Sequence, residues 1–124
     1  LQIAVMRVRS HYESGRYQEA LDVLTRTRPS VERHTGAFGQ RSAFAQLTAR
    51  VLVRMDRWED ALPFAVKAVE HRTKADGPES RTALVTKHIH AQILVGLGRF
   101  EEAKVALTRL DATQTRVLGA DHPD

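Results

Sequence analysis

Cysteine and asparagine are both absent from the 124 residues. Without Cys there is no disulfide framework, no thiolate metal site and no cysteine nucleophile, although the redox compartment stays open. No apolar run approaches the roughly 18 residues that a membrane span requires, and no signal-peptide pattern opens the chain. The expectation is therefore a cytoplasmic protein without a membrane role. Aromatic residues make up only 6% of the sequence, and no stretch alternates apolar and polar residues in the way a half-buried strand does. What remains is long enough for one domain that buries roughly two-thirds of its unfolded surface.

The charge balance is mildly positive, with 19 Lys and Arg against 15 Asp and Glu. The basic residues divide into 15 Arg and 4 Lys, which together make the 19. That bias towards Arg and Ala, and away from Lys and Asn, is what a GC-rich coding sequence produces without functional demand. A nucleic-acid footprint is a clustered basic stripe, whereas these Arg side chains are spread from Arg7 to Arg116. Their distribution argues for a solvated basic surface and against a nucleic-acid partner.

Self-comparison finds a repeat. Gly15-Arg16-Tyr17-Gln18-Glu19-Ala20-Leu21 recurs as Asp56-Arg57-Trp58-Glu59-Asp60-Ala61-Leu62 and as Gly98-Arg99-Phe100-Glu101-Glu102-Ala103-Lys104, at spacings of 41 and 42 residues. A further glycine follows each turn start by 21 positions, at Gly36, Gly77 and Gly119. Before the second turn Phe44, Leu47, Val51 and Met55 recur at three- and four-residue steps, and before the third Val85, Ile89, Ile93 and Leu97 do the same, so each set shares one helix face. After each turn a second helix opens with carboxylates (Glu19; Glu59 and Asp60; Glu101 and Glu102) where the helix dipole is positive. Leu107, Leu110 and Val117 continue the apolar face set by Phe100 and Ala103. Each unit thus reads as helix, tight turn, helix.

The markers have physical roles. Gly15 and Gly98 permit a left-handed turn, with Asp56 a less permissive substitute. Tyr17, Trp58 and Phe100 are expected to bury their rings against the preceding helix. Ala20, Ala61 and Ala103, with Val8, Ala49 and Ala91 as a matching column, keep side chains small where helices approach. Pro63 falls beyond the first turn of its helix, where it removes a hydrogen bond, and a local kink is expected there.

No constellation for chemistry accompanies the repeat. The carboxylate pairs Glu59/Asp60 and Glu101/Glu102 recur with the period at exposed helix starts, which marks them as structural. His88 and His90 stand two residues apart on a helix and point to opposite sides, so they do not chelate one metal. Gly96 and Gly98 lack the Gly-Lys-Ser or Gly-Lys-Thr of a nucleotide-binding loop. His122, before Pro123, reads as the entry to another helix. The expectation is a non-enzymatic protein with no cofactor and no metal.

The period and its turn-aromatic-alanine signature (Gly15/Tyr17/Ala20, Asp56/Trp58/Ala61, Gly98/Phe100/Ala103) resemble the tetratricopeptide repeat. The 42-residue spacing and the closing Leu118-Gly119-Ala120-Asp121-His122-Pro123-Asp124 are similar to the kinesin-light-chain-like subtype, which is found in bacterial, notably actinobacterial, repeat proteins. Gly77-Pro78-Glu79-Ser80 departs from the His-Pro form, and the polar Ser10, His11 and Ser14 make the first repeat degenerate. The resemblance implies an all-α fold: an α-solenoid of antiparallel helix pairs, wound as a right-handed superhelix of about three repeats. One domain is expected over 1–124, with repeats at about 1–36, 37–77 and 78–119, and with 120–124 starting a further repeat. The missing initial Met and the closing turn signal read as a segment of a longer protein.

The resemblance also implies a function. First helices would line a concave groove, and second helices a convex outer side. Inward positions would be Gln2, Val5, Arg9, Tyr12 and Glu13 from repeat one, Gln46, Arg50, Val53 and Arg54 from repeat two, and His88, Gln92 and Val95 from repeat three. Arg9, Arg50 and Gln92 share one column beside Arg54, and Arg engages carboxylates through paired hydrogen bonds, so an acidic protein or peptide segment is the expected partner. A chaperone-tail clamp of the asparagine-lysine kind is disfavoured by the missing Asn. The leading expectation is an interaction scaffold that binds a peptide or protein segment. The alternative is a sensor or regulatory array attached to a signalling ATPase or transcription factor. Because every repeat expects a neighbour, self-association through the repeat ends is also expected.

Overall fold

The computed structural model describes residues 2–33 and 37–119. Among them the regular elements are all helices: α1 (Gln2–Glu13), α2 (Tyr17–Glu32), α3 (Phe38–Arg54), α4 (Trp58–Asp76), α5 (Arg81–Gly96) and α6 (Phe100–Gly119). The extensive contacts join consecutive helices, α1 to α2 and onward to α6. The result is an all-α solenoid of helix pairs. Gly36 and the 120–124 segment, including His122, lie outside the described residues.

The three short turns are built identically. Gly15, Asp56 and Gly98 take φ values of 75°, 60° and 76°. In each, the left-handed residue's amide reaches back three residues (Gly15 to Tyr12, Asp56 to Val53, Gly98 to Val95). The next amide reaches back five (Arg16 to His11 and Arg57 to Leu52 at 2.8 Å, Arg99 to Leu94 at 2.9 Å). These paired bonds satisfy carbonyls that a helix end otherwise strands, which is the Schellman arrangement. Asp56 adopts a conformation that is costly for an L-residue, but its Oδ1 accepts a 2.7 Å hydrogen bond from the Trp58 indole. Gly77, at φ 94°, closes α4, and the Ser80 hydroxyl caps α5 by accepting from the Ala83 amide at 3.1 Å. α4 runs unbroken through Pro63, leaving the Glu59 carbonyl without an intrahelical amide.

Small side chains set the helix spacing. Ala20, Ala61, Ala49 and Ala91 are fully covered, and Val8 and Ala103 nearly so. Ser42, also fully buried, ties α3 to α4 by donating to the Ala68 carbonyl at 2.7 Å. Leu24, Val31, Phe44 and Val51 form one core cluster, and Leu52, Ala65 and Ile93 belong to the next.

Equivalent positions along the period reveal how each pair depends on its neighbours. Phe44 is 6% exposed and Thr86 2%, whereas Ile3, their counterpart in α1, is 72% exposed because no described helix precedes it. At the other end Leu24 and Ala65 are each 2% exposed, whereas Leu107 is 37% exposed. A pair is thus completed by the pair beside it, and the two ends of the described stack leave an apolar column open.

The same dependence corrects the expectation for the aromatic markers. Phe100 is 64% exposed rather than buried against the preceding helix. Tyr17 meets Tyr12 edge-on at 5.6 Å, so it does pack backwards onto α1. Trp58 also reaches forward: a Cβ at Gly96 would clash with its six-membered ring. The forward half of that packing needs a following first helix, and none among the described residues stands next to Phe100. Val85, expected on a shared apolar face with Ile89 and Ile93, is exposed.

Candidate functional site

The face formed by α1, α3 and α5 carries three adjoining depressions, of about 570, 770 and 360 Å³. The first is walled by Val53, Trp58, Ile89, Val95 and Leu107, with Tyr12, Arg50, Arg54, His88 and Gln92 around it. The smallest takes Val5, Arg9, Gln46 and again Arg50. The third lies between them and α6, with Arg50, Arg81, Val85, His88 and Gln92. Ten of the twelve positions that the resemblance points inward (Val5, Arg9, Tyr12, Gln46, Arg50, Val53, Arg54, His88, Gln92 and Val95) line the first or the smallest depression, whereas Glu13 lines none of the three and the Gln2 side chain lies outside what the structure describes. Arg50 lines all three.

Helical spacing explains the grouping. Gln46, Arg50, Val53 and Arg54 recur at three- and four-residue steps along α3, and His88, Gln92 and Val95 along α5, so each set forms one stripe. Arg54 is fixed across helices. Its Nε donates to the Tyr12 hydroxyl at 2.9 Å, and its guanidinium lies 5.7 Å from the centre of that ring. The hydrogen bond from Arg54 to Tyr12 chiefly raises the Arg54 pKa above its ordinary value, and the charge interaction with Tyr12 adds to it. His88 Nε2 and Gln92 Nε2 lie 3.3 Å apart, the direction of donation depending on the imidazole tautomer.

Two carboxylates near this face are already engaged, while the exposed Glu13 takes part in none of the ion pairs found among the described residues. Glu79 pairs with Arg116, whose bond holds its carboxyl below the ordinary range. Asp76 accepts from Thr82 at 2.6 Å and from Arg72 at 3.2 Å, and its pKa is lowered first by Thr82 and then by Arg72. Neither Arg9 nor Arg50 takes part in the four ion pairs found among the described residues. The face accordingly carries guanidinium groups outside those ion pairs, with apolar walls between them.

Sequence reasoning missed Arg81, Val85 and Trp58 as parts of this face. Arg81 and Val85 share the α5 stripe, at seven and three residues before His88, and the helical period alone could have placed them. Gly96, read only against nucleotide-loop motifs, accommodates Trp58. His88 lines the inner face, while His90 lies near Arg99 and Glu102 and is held below the ordinary imidazole pKa chiefly by burial. Among the described residues no group of three or more His, Asp or Glu is placed to hold a metal. No described helix is long and apolar enough to cross a membrane.

Comparison with known proteins agrees with this architecture. The family model for the tetratricopeptide repeat matches residues 91–124. A crystal structure of kinesin light chain nearly identical TPR-like repeats from Podosopora anserina superposes with a TM-score of 0.81 at 22% identity, covering 99% of this chain and 59% of that one. A second crystal structure of the same repeats, carrying one substitution, gives 0.67 at 19% identity, covering 90% and 53%. The chain thus spans little more than half the length of these solved arrays. No curated protein matches it. The fold is thus an α-solenoid like that of TPR-like repeats, and residues 91–124 match the tetratricopeptide repeat model. Repeats of this family are generally protein–protein interaction scaffolds.

Proposed function

We propose that the chain is a non-enzymatic scaffold, one domain of about three repeats (about 1–36, 37–77 and 78–119), that holds an extended acidic segment of a partner along the face of α1, α3 and α5. The observation that carries this reading is the position of Arg50, common to all three depressions, with Arg9, Arg54 and Arg81 around it. A guanidinium at the centre of a partly apolar trough favours a carboxylate flanked by apolar side chains over a uniformly charged strand. Titration with a fluorescent acidic peptide tests it. Replacing Arg9, Arg50 and Arg54 by Ala is expected to weaken binding by about tenfold or more, since charge-assisted bonds contribute about 1.5–3 kcal/mol each. Unchanged affinity in a folded triple variant would remove the proposal.

A second association is favoured by the open end columns. Ile3 and Met6 at one end, and Phe100 and Leu107 at the other, are exposed where their counterparts inside the stack are buried or half-buried. Two copies of the chain meeting by these ends would cover them. Sedimentation should then become concentration-dependent, and Phe100→Ser should reduce it. A monomer at millimolar concentration contradicts this.

A further inference from the structure

On the opposite side of the stack, the furrow between α2 and α4 holds a depression of about 360 Å³ floored by α3. Its apolar surface comes from Val31, Phe44, Ala45 and Phe64, and its rim carries Arg28, Arg41, Lys67 and His71 against a single carboxylate residue, Glu32. None of these four basic groups belongs to the ion pairs found among the described residues. The Arg28 guanidinium instead lies 5.2 Å from the centre of the Phe64 ring, and Arg41 donates through Nη2 to the Glu32 backbone carbonyl at 2.8 Å. Two of the three buried polar atoms left without a hydrogen bond among the described residues, Arg41 Nε and His71 Nδ1, belong to this same rim. Buried polar groups are ordinarily paired, so these two atoms leave the polar rim of the furrow less than fully satisfied from within the chain.

The electrostatics agree. Burial lowers the His71 pKa first, Arg41 next, and Lys74 and Lys67 further, with only Glu70 opposing them. Three cationic side chains, Arg28, Arg41 and Lys67, thus stand on this rim against the one carboxylate residue Glu32, on a wall of two phenyl rings.

We infer that this furrow is a binding site for a small carboxylate carrying an apolar, aromatic body, the carboxylate meeting Arg28, Arg41 and Lys67 and the ring packing between Phe44 and Phe64. The site is separate from the proposed peptide face, since it is built from α2 and α4 and shares no lining residue with the depressions around Arg50. Charge fixes one end of such a ligand and apolar contact the other, which is the usual division of labour in small-molecule sites.

Amide shift mapping of the full chain with 3-phenylpropionate tests the site, using 3-phenylpropanol and propionate as matched probes that lack the charge or the ring. Saturable shifts are expected around Val31, Ala45 and His71, with 3-phenylpropionate binding about tenfold tighter than either control, as loss of one charged bond or one buried ring implies. Lys67 is exposed, so Lys67→Glu should leave the fold intact and weaken binding, Lys67→Arg should retain it, and Arg50→Ala should have no effect. Equal binding of the alcohol, shifts clustered around Arg50, or no saturable shifts would each overturn the inference. The ligand series decides the matter even if a variant misfolds.

Discussion

The six-membered ring of Trp58 fills the space that a side chain at Gly96 would need. The contact joins the start of α4 to the end of α5, one helix pair to the next. It also explains why a glycine ends an otherwise regular helix. A Gly96→Ala change adds helix propensity worth about 1 kcal/mol, against an overpacking cost of about 1–3 kcal/mol. The expected outcome is a lower melting temperature together with a change in Trp58 emission. Trp58 is the only tryptophan in the sequence, so its fluorescence reports this junction directly.

Asp56 separates backbone strain from side-chain bonding. Asp56→Gly relieves the left-handed backbone but loses the bond from the Trp58 indole, and these effects should nearly cancel. Asp56→Ala keeps the strain and loses the bond, and should destabilise the fold by about 1–2 kcal/mol. Chemical denaturation of the two variants checks the order. Equal stability of Asp56→Ala and the parent chain would mean that the indole bond contributes nothing.

Enlarging Ala61 or Ala103 to Leu places extra methylenes where two helices touch, and should cost about 1–3 kcal/mol. Lys104→Leu, on the exposed face beside Ala103, should stay within about 0.5 kcal/mol. Thermal melting followed by circular dichroism distinguishes the two classes.

The fold was legible because its period repeats the same physics. A left-handed turn, a small residue at the helix contact and an apolar stripe each recur in phase, and Gly15, Ala20 and Val51 are understood from their counterparts. The expectation for Phe100 fails for the same reason. Its spacing matches Trp58, but its covering helix is absent from the described stack, and a period records identity rather than neighbours. The inner stripe of Arg50, Arg54, His88 and Gln92 followed from register. The Arg28, Arg41, Lys67 and His71 cluster had no such signal: α2, α3 and α4 bring its members together from separated positions, and only that of Lys67 recurs as a basic residue, at Arg26 and Arg109.

Stability should also respond to pH through two histidines. Burial is the first cause of the lowered pKa at both His71 and His90, with Arg41 and Arg99 respectively adding to it. The unfolded chain therefore takes up protons first, near the ordinary imidazole value of about 6.5. Stability is full above that value and falls as the pH drops below it towards the folded-state pKa. Denaturation midpoints measured from pH 7.5 to 5 should decline, and replacing both residues by Gln should flatten the decline. A midpoint that rises on acidification would reverse the sign argued here.

Partners are proposed to lie along α1, α3 and α5 with a carboxylate at Arg50, and the proposed scaffold function rests on that placement. Amide chemical-shift mapping with a bound acidic peptide tests it most directly. The largest shifts are expected at Arg9, Arg50, Arg54, His88 and Gln92, together with their disappearance in Arg50→Glu. Shifts concentrated on the outer faces of α2, α4 and α6, with the inner stripe unmoved, would contradict it.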